Sequence, residues 1–74
     1  MNDDIQKLIS KYQQHYIENN QRIDNDCTEI VLLDSKTKLT KEEQKRYDWL
    51  QSDWESLIGQ NSIYECVLRD LKNL

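Results

Sequence analysis

Two columns of residues, each repeating every seven positions and offset by four, run through the first half of the chain. Ile9, Tyr16, Ile23 and Ile30 form one; Ile5, Tyr12, Asn19, Asp26 and Leu33 form the other. Seven of these nine positions are apolar or aromatic, and Leu8 and Cys27 widen the stripe. The second half repeats the pattern. Tyr47, Trp54, Asn61 and Leu68 align in one column, and Leu50, Leu57, Tyr64 and Leu71 in the next, with Ile58, Val67 and Leu74 beside them. This 4–3 spacing keeps one narrow face of an α-helix apolar, and it is how helices pair along a seam. It leaves little room for anything else. There is no Pro and one Gly in 74 residues, too little turn chemistry for a loop-rich β fold or a glycine-rich phosphate loop.

The spacing therefore predicts an all-α domain, an antiparallel hairpin of two long helices over about 3–33 and 41–73, connected through about 34–40. Asp3 and Asp4 suit a helix start, where negative charge meets the positive end of the dipole. Thr40 followed by Glu43 is a capping box for the second helix. Arg69 and Lys72 suit its end. One stretch is ambiguous. Gly59 is a candidate helix stop, and Ser62 with Glu65 would then cap a third helix. The register of the seam runs on through Asn61 to Tyr64, which favours one unbroken helix. A β-hairpin at 28–33 ranks last, because those residues do not alternate in polarity.

Two paired helices make a thin object, and a chain this short gains only about 3–5 kcal/mol from a single core. Asn19, Asp26 and Asn61 sit within the seam, where an unpaired polar group costs stability but a paired one fixes register. Ile17, Val31, Leu32, Trp49 and Ile63 point off it. Five such residues predict a second covered surface. A second copy of the chain is the simplest cover, giving a four-helix bundle.

Charge narrows the class of partner. Fourteen acids against ten bases leave −4, which opposes direct binding to nucleic acid. Asp24, Asp26, Glu29 and Asp34 occupy residues 23–35 with no base among them. The same holds for Asp48, Asp53, Glu55 and Glu65 over residues 47–68, whereas residues 36–46 are basic. Such acidity reads first as a solvated surface. Its sharper reading is a face that competes for the basic groove of another protein. No apolar run is long enough to span a membrane, and the acidic, polar first residues do not resemble a signal peptide. The expected location is the cytoplasm.

Catalytic and metal chemistry is hard to build from this chain. A nucleophilic triad would rest wholly on His15, the single His. Cys27 and Cys66 form no C-x-x-C pair, and in a long hairpin they stand about 29 Å apart, far beyond disulfide reach. The run Asp24-Asn25-Asp26 opens like a calcium loop, but Glu29 replaces the glycine and Ser35 the final glutamate. Paired carboxylates such as Glu42 and Glu43, or Asp53 and Glu55, lack the enclosed pocket that acid–base work needs. No enzyme, cofactor or metal site is expected.

The candidate binding surface is on the second helix. Asp48, Trp49, Ser52 and Glu55 fall on its outward side by i, i+3 and i+4 spacing, with Ile17 a further candidate on the first. Trp is the residue most enriched at binding hot spots, and an acidic rim suits a partner rich in Lys or Arg. The expected function is a non-enzymatic module that binds and inhibits a larger protein by occluding a basic surface. A structural homodimer or assembly subunit is the alternative. Thirteen Asn and Gln, with no Ala, are typical of AT-rich bacterial and phage genomes. Small acidic helical proteins from such genomes are often anti-CRISPR-type or other anti-defence inhibitors, an analogy of composition alone.

Overall fold

The computed structural model describes residues 3–74 as two antiparallel helices, α1 (Asp3–Asp34) and α2 (Lys41–Lys72). They form a rod of 58 × 16 × 14 Å. Every residue of the two seam columns on each helix is buried or half-buried. Leu50 and Leu57 are the best-sealed, at 0% and 2% exposure, with Ile9 and Leu68 toward the open end.

Polar pairs across the seam fix the register. The Arg46 guanidinium grips Glu29 through two hydrogen bonds of 3.0 and 2.9 Å. Arg22 donates to Asp53 at 2.8 Å, and Tyr16 Oη donates to Glu65 at 2.6 Å. In the middle, buried Asn61 donates to Asn20 Oδ1 at 2.9 Å and to the Tyr16 carbonyl at 3.3 Å. Asn61 thus locks one helix against the other, as an in-seam polar residue does in coiled coils.

The connection closes as the sequence indicates. Thr40 Oγ1 accepts from the Glu43 amide, and the Thr40 amide donates to the Glu43 side chain, both at 3.1 Å. Lys36 adds an ion pair to Glu43. Thr40→Ala removes one half of this reciprocal cap and is expected to cost about 1 kcal/mol in urea unfolding.

There is no third helix among the described residues. α2 runs through Gly59, which has no positive φ. Ser62 does not cap; its hydroxyl donates to the Ile58 carbonyl one turn back, at 3.1 Å. The Thr28 hydroxyl does the same to Asp24, at 2.9 Å, within an unbroken α1, so no hairpin forms at 28–33. A Cβ placed on Gly59 meets nothing within 4 Å. Gly59→Ala should therefore raise stability by roughly 0.5–1 kcal/mol, read as a higher thermal midpoint by circular dichroism.

Cys27 and Cys66 are both free and exposed. Cys27 shares a cleft with Gln51, so the thiols stand about 22 Å apart along the rod. The distance expected from the sequence was longer because the turn centres later than residue 37, with Cys27 beside Gln51 and Asn20 bonded to Asn61.

Candidate functional site

The heptad register divides the rod into two broad faces that differ in which charges meet across the seam. On one face, α1 contributes the column Leu8, His15, Arg22 and Glu29, and α2 contributes Arg46, Asp53, Gln60 and Val67. Its charges cancel: Glu29 pairs with Arg46 and Asp53 with Arg22. The Arg46 guanidinium also lies over the Trp49 ring, 4.8 Å from its centroid. His15 stacks on Tyr64, with centroids 6.0 Å apart and planes 18° apart. This is the paired-charge face.

On the other face three acids lack a cation partner, although Lys41 and Arg69 stand in the same α2 column as two of them. Asp24 stands on α1 in the column Ile17, Asp24, Val31; Asp48 and Glu55 stand in the facing column of α2. None of these three carboxylates has a salt-bridge partner among the described residues. Asp48 accepts only a neutral hydrogen bond, from Gln44 at 3.0 Å. Between the columns runs a cleft of about 210 Å³ lined by Cys27, Ile30, Gln51, Trp54 and Glu55. This is the acidic face.

The five candidate residues are all exposed, but the structure does not gather them into one patch. Asp48 and Trp49 are consecutive, hence about 100° apart around the helix, and they straddle its outward edge. Trp49 turns toward Arg46 and the paired-charge face. Asp48 and Glu55 rim the acidic face, Ser52 points outward between the two, and Ile17 stands on the α1 side of that face, outside the cleft lining. Trp49 and the two acids therefore stand at opposite edges of the same outward side of α2. The aromatic residue that opens into the acidic cleft is Trp54, which the periodicity assigned to the seam alone.

A second feature escaped the sequence reading. Asp26, 8% exposed, meets Asp53 across the seam, and the Oδ2 atoms of both are buried without a hydrogen-bond partner. Burial is the largest cause that lifts Asp26, and the facing Asp53 adds to it; Arg22 and Arg46 pull the other way. The carboxyl is pushed up to about 6. Asp26 takes up a proton as pH falls toward that value. Asp26 was legible as a polar residue in the seam. Its partner was not, because Asp53 lies one position before the seam residue Trp54.

Elsewhere, contact with Arg46 holds Glu29 below the usual carboxylate range, and Lys36 does the same for Glu43. Hydrogen bonding to Glu65 raises the Tyr16 phenol. Among the described residues, no three His, Cys, Asp or Glu side chains converge as a metal set. No helix there is long and apolar enough to cross a membrane. No family model, curated protein or solved structure matches the chain.

Proposed function

We propose that the chain is a non-enzymatic interaction module whose acidic face occludes a basic surface on a larger protein, in the manner of small inhibitors carried by phages and mobile elements. The observation that carries this reading is that three carboxylates beside an apolar cleft are left without a cation of the same chain among the described residues. Glu29 and Asp53 on one face are neutralised by arginines of the same chain, whereas Asp24, Asp48 and Glu55 on the other are not. Unpaired carboxylates beside apolar surface attract Lys and Arg from a partner and steer its approach. Cytoplasmic action follows from the same reading.

The test is capture from a lysate of the organism that encodes the chain. The intact protein is compared with a variant carrying Asp24→Lys, Asp48→Lys and Glu55→Lys. Basic partners should be retained by the first, lost by the second, and released as salt rises, because exposed charges are screened within about 10 Å at about 0.1 M. Equal capture by both proteins sinks the proposal.

A second reading is favoured by the paired-charge face. Trp49 and Ile63 stand 51% and 65% exposed beside it. Two copies joined there form a four-helix bundle and leave both acidic faces outward. Light scattering behind size exclusion should then give a dimer at low micromolar concentration, which Ile63→Asp converts to monomer. A wild-type monomer throughout the concentration series removes this reading and leaves the first intact.

A further inference from the structure

The acidic face has shape as well as charge. The cleft floored by Cys27, Ile30 and Trp54 does not end at its rim. Ile58, 38% exposed, continues the floor one turn along α2, and Ile17 and Val31 stand half-exposed or more along the α1 wall. From Ile17 to Val31 the strip extends about 21 Å, at about 1.5 Å per residue, with Asp24 standing midway between those two apolar residues. Carboxylates border it on both sides, Asp24 on the α1 wall and Asp48 and Glu55 on that of α2.

Resting on the reading of an acidic interaction face given above, we infer that this groove seats a single basic amphipathic α-helix of the partner, completing a three-helix bundle. A groove between two packed helices receives the ridge of a third. The helices satisfy their own backbone groups, so the rod offers no strand edge on which an extended peptide could add. About four turns of helix span the strip, presenting apolar residues at i, i+3, i+4 and i+7 to the floor. Lys or Arg on both flanks then meet Asp24 on one side and Asp48 and Glu55 on the other. A second copy of this chain does not suit the groove. Docking it there by two-fold symmetry brings six unpaired carboxylates of one sign together.

The test uses the full chain carrying Trp49→Phe, which leaves Trp54 as the sole indole. The probe is an 18-residue Leu/Lys peptide patterned as an amphipathic helix. A scrambled peptide of the same composition serves as comparison. The patterned peptide should shift Trp54 emission saturably and add helical ellipticity beyond the sum of the components. Combining Asp24→Asn, Asp48→Asn and Glu55→Gln should weaken binding about tenfold or more, since the three charges act together on one ligand. Ile58→Ser should weaken it while leaving the charge intact. Equal binding of the scrambled peptide overturns the inference but not the acidic-face reading, because charge alone is then being recognised. Binding of neither peptide overturns both. An emission shift that follows the concentration of the chain itself, without peptide, assigns the groove to a second copy and also overturns the inference.

Discussion

Asp26→Asn should stabilise the hairpin at pH 7 and remove most of the stability that the wild-type chain loses between about pH 4 and pH 6.5. The buried carboxyl has a folded pKa of about 6 against an ordinary value of 3.8. Between those values the folded chain binds more protons than the unfolded one. Stability from this group is therefore fully present below about pH 4, declines as pH rises, and is gone above about pH 6. At about 1.36 kcal/mol per pKa unit, the upper bound is about 3 kcal/mol. A thin rod keeps water close to the site, so about 1–2 kcal/mol is the more realistic gain. Asn keeps the shape, carries no charge and can donate to Asp53. Glu29 and Glu43 act in the opposite sense. Arg46 and Lys36 hold their pKa values below the ordinary 4.5, so their contribution is lost as acid protonates them. The wild-type profile should thus peak near pH 4.5–5 and fall on both sides. Urea unfolding at pH 4.5 and pH 7.5 measures it. Wild-type stability that is flat or rising across this interval rules out the buried pair as described.

The fold was readable because a heptad pattern is redundant. Any two or three seam positions can be polar, as Asn19, Asp26 and Asn61 are, and the remaining columns still define the face. The capping box was readable for a different reason: it is local, with both halves inside four residues. Gly59 was ambiguous because its local signal and the long-range register disagreed, and the register won. An exposed helical Gly costs only about 1 kcal/mol, less than breaking the packing of Asn61, Tyr64 and Leu68. The binding surface was only half legible. Periodicity puts Asp48, Ser52 and Glu55 on the outer side of one helix. It does not say which flank meets which column of the other helix. That needs the pairing register, which rests on Arg22 with Asp53 and Arg46 with Glu29. These pairs are visible in the sequence as two columns of alternating charge, Arg22 and Glu29 against Arg46 and Asp53, once antiparallel pairing is assumed. The Asp26–Asp53 contact and the turn of Trp49 away from the acids follow from the same register.

Leu50→Ala should leave the isolated chain partly unfolded at 25 °C. Leu50 is fully buried at the closed end of the rod and Leu57 follows two turns on. Truncating a buried Leu to Ala costs about 2–5 kcal/mol, with the lower values where neighbours can collapse into the gap. A two-helix seam collapses more easily than an enclosed core, so about 2–3 kcal/mol is expected here. Set against the roughly 3–5 kcal/mol that a core of this size supplies, that is most of the margin. Far-UV ellipticity at 222 nm should fall, whereas Leu32→Ala, at an exposed outer position, should change stability by less than about 0.5 kcal/mol. The same variant separates two views of the groove. A helix that completes a three-helix bundle binds the folded chain only, and at a hundredfold excess over its Kd it returns about 2.7 kcal/mol. The patterned Leu/Lys peptide should therefore restore ellipticity to Leu50→Ala, with a midpoint shifted to higher peptide concentration than for wild type. A peptide that merely coats acidic side chains binds folded and unfolded chains alike and restores nothing. Recovery of the helical signal thus ties the packing of Leu50 to occupancy of the groove above it.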